Sequence, residues 1–327
     1  MSLERKFTQG EAQSAWTVAR LTWLVVAAMG LSLAIGMLAL RFTIDTFEFS
    51  CVLAVAALYA GFGWFHVVRK ASPDPKMTFM LTAIGQLVFI VAFMGPLTYV
   101  AGALNMPLQD KLFLAIDRAV GLDPKMILDY VNARPELAGW LEAGYGLIRA
   151  PLLAIPIVLG MTARVQRLQV FVLAFAIALI LTLVISALLP AIGTYYGLGI
   201  DASTMTNLDS AIYAKQLRDI PALRDGALRD LELFKLAGIV AFPSFHAASA
   251  VLFAWALWPV RGFGPIALAL NVVMLVATPV VGAHYAIDVI GGIVVAGAAI
   301  MLAKRIADAR QRAVAHRRQT TPVVAAT

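Results

Sequence analysis

Eight stretches of this chain are long, apolar and almost free of charge, and no other feature limits the fold so strongly. They lie at about 17–40, 51–68, 78–104, 143–161, 168–192, 244–258, 263–281 and 285–302. A helix crosses the bilayer with ~20 residues, because every backbone N–H and C=O must find its partner inside the segment. The runs at 51–68 and 244–258 are short by that measure, and Gly95 and Pro96 mark a kink or an early end in the third. No alternating strand pattern of the barrel kind is present. With 61% hydrophobic residues and a mean hydropathy of +0.83, the chain carries more apolar surface than a soluble domain needs. The reading is an all-α, polytopic transmembrane helical bundle of about eight spans. The first run begins near Thr17 and is long enough to span, so no cleavable signal peptide is expected.

The net charge of +7 would suggest a nucleic-acid partner in a soluble protein. Here the cations lie mainly beside the apolar runs, where topology explains them. With the N-terminus in the cytoplasm and the spans alternating, the cytoplasmic side receives Arg5, Lys6, Arg20, Arg69, Lys70, Lys76, Arg164, Arg167, Arg261, Lys304, Arg305, Arg310, Arg312, Arg317 and Arg318. Only Glu4, Glu11, Asp74 and Asp308 of the 19 acids share that side. This asymmetry is what the positive-inside rule expects. It places the protein in the inner (plasma) membrane with both termini cytoplasmic. The only cysteine, Cys51, excludes an intrachain disulfide.

Two long segments then face the outside. In 105–142, the stretch LQDKLFLAIDRAVGLDPKMILDYVN has apolar residues at helical spacing with charges between them. It reads as an amphipathic helix in the membrane interface, with a capping helix over the bundle as an equal alternative. In 193–241, Lys215, Arg218, Arg224, Arg229 and Lys235 mix with Asp219, Asp225, Asp230 and Glu232, as in a solvated helical cap. The basic tail after Ala303 is expected to be disordered.

Chemistry concentrates in FPSFHAASA (242–250) and GAHYAID (282–288). His284 and Asp288 stand at i, i+4, a spacing that brings them together on a helix. A carboxylate on one ring nitrogen fixes the tautomer and leaves the other nitrogen basic and free to attack. Asp288 lies inside an apolar run, where an ionisable group is costly and usually functional. A polar pair plugging the end of the bundle is the plain alternative, and the second histidine weighs against it. His246 follows Pro243 and Ser244, which are good helix-start residues, so it sits on a first turn whose free N–H groups suit a phosphate. Ser244 is either a cap, a phosphate ligand, or both. Of the four histidines, only His246 and His284 share the outer face in this layout; His66 and His316 do not. With no third close ligand, metal binding is not expected.

Pro-Ser-Phe-His and Gly-Ala-His-Tyr-Ala-Ile-Asp resemble the second and third signature motifs of the type 2 phosphatidic acid phosphatase superfamily, in the variant of the inositol phosphorylceramide synthase-like branch. DRAVGLDP, GYGLIRAP and ISALLPAIGTYY are similar to the same family's upstream half, so the resemblance runs from about 108 to 302. It implies a six-helix catalytic core within 78–303, two accessory helices in 1–77 and a basic cytoplasmic tail at 304–327. It further implies a phosphohistidine mechanism without a cofactor: His284 as nucleophile, Asp288 orienting it, and His246 protonating the leaving group. The substrate would be a phospholipid or lipid phosphate in the membrane, with no nucleic acid and no protein partner evident.

The departures from the pattern matter. The family's Lys and Arg-Pro motif has no clear match, Phe245 replaces a glycine, and Ala277-Thr278 stands where Ser-Arg is expected. The phosphate charge needs another cation. Arg149, within an apolar run, is the first candidate, with Glu142 as a rival partner for it at the rim; Lys235 and Arg229 are the alternatives. Tyr285, and Tyr145 beside it, lie near these groups, though aromatic belts also explain interfacial tyrosines. A transporter using the same polar cluster would spread polar residues through several spans, whereas these gather at one face. The layout predicts that single cysteines at Asp209 and Asp225 react with an impermeant reagent in intact cells. Labelling only after permeabilisation would reverse the orientation.

Overall fold

The computed structural model describes residues 9–69 and 74–320. Glu4, Arg5, Lys6 and Lys70, which enter the charge count, lie outside them, as do tail residues 321–327. The protein is an integral membrane protein, almost wholly helical: α1 (Gln9–Leu40), α2 (Thr46–Arg69), α3 (Pro75–Gly102), α4 (Asp110–Ala119), α5 (Pro124–Asn132), α6 (Pro135–Gly146), α7 (Pro151–Met161), α8 (Val165–Leu188), α9 (Thr194–Leu198), α10 (Ala211–Asp225), α11 (Phe245–Leu257), α12 (Phe263–Val281) and α13 (Ala286–Thr320). Six of these, α1, α2, α3, α8, α12 and α13, are long and apolar enough to cross a membrane. The bent pair α6–α7 passes the same test only when its two helices are taken together, as a broken span or a re-entrant loop. The thirteen residues of α11 rise only about 20 Å, so this helix is apolar but shorter than the hydrocarbon core.

Helices α3 and α8 form the middle. Helix α8 packs on α1, α3, α7, α11 and α13, and α3 on α1, α2, α7 and α8. Buried amides link this layer across helices: Gln86 Nε2 donates to the Ala19 carbonyl at 2.9 Å and Gln169 Nε2 to the Phe79 carbonyl at 3.3 Å. In a bilayer, where apolar surface alone drives little association, small residues and such bonds hold helices together. Helix α2 touches chiefly α3 and leaves most of its surface to lipid. Helix α3 runs on through Gly95 and Pro96 to Gly102 instead of ending early.

Three expectations are corrected. The span at 143–161 is a helix of 135–149 and a helix of 151–161 meeting at 56°. Pro151 and Pro156 lack an N–H, and a proline ring collides with the carbonyl four residues back. The chain therefore makes a 3₁₀ turn at Leu147–Arg149 and changes direction. The single amphipathic helix within 105–142 is three helices, α4, α5 and α6. Gly121, at φ +80°, breaks the first from the second, and Asp123 caps the start of the second. The tail is not disordered through Thr320: α13 continues to it. Ala, Arg and Gln are strong helix formers that extend a helix already nucleated.

The 193–241 segment carries α9 and α10 as a cap, and its Asp230–Leu231 strand pairs in parallel with Thr43–Ile44, directly after α1. The loop after α1 and the cap thus share one end of the bundle. The start of α1, the α7–α8 turn, the end of α11 and residues 304–308 of α13 gather around one cavity.

The α2–α3 seam rests on close approach. A Cβ on Gly85 would lie 2.9 Å from the Ala56 carbonyl, whereas one on Gly61 meets nothing within 4 Å. Gly85→Val should therefore destabilise the folded protein by about 1–3 kcal/mol, read as a lower thermal midpoint in detergent, while Gly61→Val leaves it unchanged.

Candidate active site

The site is built where two helices begin. Ser244 is the N-cap of α11, and its Oγ accepts from the Ala247 N–H at 3.4 Å. Its own N–H donates to the Asp288 carbonyl at 2.9 Å, which ties the start of α11 to the first turn of α13. Gly292 permits this approach, because a Cβ there would lie 2.2 Å from the Ser244 carbonyl oxygen.

His284 and Asp288 meet as the i, i+4 spacing suggests, but not on one helix face. Helix α13 begins at Ala286, so His284 precedes it and Asp288 is its third residue. Ala283, at φ +54°, turns the chain into this start. From the third position Asp288 Oδ2 reaches back, as in a capping box. It accepts from the Tyr285 N–H at 3.0 Å and lies 3.2 Å from His284 Nδ1. With the Nδ1 proton assigned to that contact, Nε2 carries the lone pair, and Ser244 Oγ stands 3.3 Å from it. Ser244, His284 and Asp288 are all buried, with the serine and aspartate fully enclosed. Asp288 Oδ1 has no partner.

His246 is the second residue of α11, and its ring lies flat on Tyr145, with centroids 3.8 Å apart and planes 11° from parallel. Among the described residues, the N–H groups of Phe245 and His246 make no hydrogen bond. Burial acts most on the charged form of His246, and the His284 and Arg149 side chains lie close enough to act on it as well. Arg149 is exposed at the α6–α7 break, on a turn packed against α11 and α12. It is not paired with Glu142, which instead accepts from the Asp209 N–H.

The other candidate groups are held elsewhere. Lys235 is ion-paired with Glu232, which raises its pKa, on a turn packed against α2 and α3. Arg229 donates to the Leu223 and Leu228 carbonyls and lies over the Phe42 ring. The Tyr285 hydroxyl is buried and donates to Asp110 Oδ1 and the Gly193 carbonyl, at 3.1 and 3.0 Å. The buried Thr278 hydroxyl bonds the Met274 carbonyl of its own helix. Among the described residues, no cluster of three His, Cys, Asp or Glu side chains is arranged to hold a metal.

Two carboxylates that sequence reading missed support the site. Asp117 accepts from the Ala286 and Ile287 N–H groups at 2.7 and 3.0 Å, the first two positions of α13. With Asp288 on Tyr285, and the Asp288 N–H on the Tyr285 carbonyl, every orphan donor at this helix start is satisfied. Asp110, seven residues earlier on the same face of α4, accepts from the Ile192 and Gly193 N–H groups and from Tyr285. Burial pushes both carboxyls above the ordinary range, and the N–H donors pull them back. The signal was two acids at i, i+7 on an otherwise amphipathic helix. Such spacing puts them on one face but does not say that the face is buried.

Against this geometry, a model of the PAP2 superfamily matches residues 111–302. The match covers more than half of the chain, and the protein belongs to that superfamily of phosphatase-like lipid phosphoester enzymes. No curated protein and no solved structure matches the chain. The matched region starts in α4 and ends in α13, so α1, α2 and α3 lie before it.

The clamp at α13 is open to test. Asp117→Ala leaves two helix-start N–H groups without an acceptor and should cost about 1–3 kcal/mol, seen as a lower thermal midpoint. Asp117→Asn, which keeps one acceptor oxygen, should lose less.

Proposed function

We propose that this protein cleaves a lipid phosphoester through a phosphohistidine on His284 and passes the phosphoryl or phospho-headgroup to an alcohol. This is the reaction of an inositol phosphorylceramide synthase-like phosphotransferase. The observation that carries the reading is the buried line Ser244–His284–Asp288, with His246 two residues beyond Ser244 on the same helix start. Asp288 holds the Nδ1 proton and steadies the positive charge that grows on the ring. Nε2 attacks phosphorus while the ester P–O bond breaks, and His246 gives its proton to the leaving oxygen. In the second step His246 takes the proton of the acceptor hydroxyl, that oxygen attacks phosphorus, and the P–N bond breaks. In this reading the free N–H groups of Phe245 and His246 and the Ser244 hydroxyl bind the phosphate oxygens, as a helix start can. Arg149 is the proposed cation, since an arginine fork suits a phosphate and, among the described residues, no acid is ion-paired with it.

The enclosure of Ser244, His284 and Asp288 favours transfer over hydrolysis, because a closed site keeps water from the intermediate. A phosphatase with water as acceptor is the competing outcome. In the proposed orientation the site faces the periplasm or outside, and both termini are cytoplasmic. The domain division proposed is 78–303 as the catalytic unit with 1–77 as accessory spans.

The test is phosphoenzyme trapping with labelled phospholipid and lipid-phosphate donors, with and without diacylglycerol, ceramide or inositol acceptors. His284→Ala should trap no label with any donor, and adding Asp288→Asn should change little more. His246→Gln should slow turnover by roughly 10²–10⁴-fold yet still trap label from a donor with a good leaving group. Arg149→Lys should keep the fold and lose most activity. Label on residue 246, or near-normal turnover in the His284 variant, would overturn the assignment. Release of free phosphate at an unchanged rate whatever the acceptor would make the enzyme a phosphatase.

A further inference from the structure

At the end of the bundle away from the histidines, four elements enclose a cavity of ≈310 Å³. They are the start of α1, the first turn of α8, the last turn of α11 and one turn of α13. The distance from the site follows from α13 itself, since Asp288 and Lys304 are separated by sixteen residues, about 24 Å of helix. Three cations line the cavity, Arg164, Arg167 and Lys304, together with Trp255 and the acids Glu11 and Asp308.

Three cations face two acids in this lining. Arg164 is the N-cap of α8 and Arg167 its third residue, and the first turn of that helix contains no acid. A helix start is positive in its own right, so cations there raise an already positive potential. The charge of Arg164 acts directly on Arg167. Among the described residues, none of the three cations is ion-paired, although two acids share the lining. Arg167 is partly committed. Its guanidinium donates to the Trp255 and Ala256 carbonyls, capping the end of α11, and lies 4.4 Å from the Trp255 ring centre. Arg164 and Lys304 have no such anchor.

Three exposed apolar side chains stand close in sequence to the lining: Met161 at the end of α7, Trp258 directly after α11, and Met301 one turn before Lys304. A ligand that joins a phosphate to hydrocarbon tails fits this arrangement, with the phosphate among the cations and the tails along these residues. By the charge asymmetry this end lies at the cytoplasmic leaflet, whose lipids are the anionic ones that basic residues attract. We infer that this cavity binds the phosphate of an anionic phospholipid, held by Arg164, Arg167 and Lys304, as a second lipid site separate from the histidines. The site is independent of the proposed reaction. Because Arg167 caps the end of α11, an occupied cavity also stabilises the short helix whose other end carries His246.

The full chain, delipidated in detergent, is titrated with phosphatidylglycerol, with phosphatidylcholine of the same chains, and with inorganic phosphate. Native mass spectrometry and thermal unfolding are the readouts. Phosphatidylglycerol should be retained with one molecule per chain that the Arg164→Gln, Lys304→Gln variant loses, and should raise the thermal midpoint saturably. Arg164→Gln with Lys304→Gln should weaken this by about tenfold or more, Arg164→Lys should largely restore it, and Arg261→Gln should leave it unchanged. His284→Ala should bind as the wild type does, so loss of the catalytic reading would not touch this one. The inference is overturned if the double variant binds like the wild type or if phosphatidylcholine acts equally. It is overturned as a lipid site if inorganic phosphate alone produces the whole effect.

Discussion

The structure depends on how the start of α13 is satisfied. A helix that opens with several free N–H groups inside a membrane bundle must find acceptors for them, because no bulk water is there to serve. Asp288 supplies one from within the helix and Asp117 supplies two from α4. The same Asp288 oxygen that accepts from Tyr285 also faces His284 Nδ1, and the Asp288 carbonyl accepts from Ser244. One residue therefore closes a helix end, orients an imidazole and docks a second helix. The candidate chemistry is a by-product of solving a backbone problem.

Around that point the fold is organised by breaks rather than by continuous spans. The 3₁₀ turn before Pro151 bends the α6–α7 span and sets Arg149 on a turn against α11 and α12. Helix α11 is shorter than the other apolar helices, and Ser244 caps its start. Irregular backbone at such depth is tolerated only where protein or a polar cavity surrounds it. These interruptions coincide with the residues proposed for the chemistry.

Much of this was legible in the chain. The apolar runs marked the helices, and prolines and glycines marked most of their ends. Ser244 was readable as a cap from its residue type and its place before an apolar run, with a phosphate contact left open beside it. His284 and Asp288 were readable as a pair, though for a reason that needed correction: they meet across a helix start and not along a helix face. Asp110 and Asp117 were not readable, since an acid on an amphipathic helix ordinarily faces water. Here α4 lies with its acidic face inward against α13 and the Gly193 turn. Lys235 and Arg229 shared a plausible position in sequence with Arg149, and neighbouring groups then engaged the first two.

By itself the sequence determined that the chain is a helical membrane protein, which end of it is basic, and which three side chains, His246, His284 and Asp288, to propose for the chemistry. Each of these follows from composition, period or local spacing, which act over a few residues. Only the tertiary structure decided which carboxylates support the site and where the span containing Arg149 breaks. It also decided which nitrogen of His284 faces Ser244. Those outcomes depend on partners up to about 170 positions away, as Asp117 is from Ile287. No local rule reaches that far, because a buried polar group is satisfied by whatever packing brings beside it.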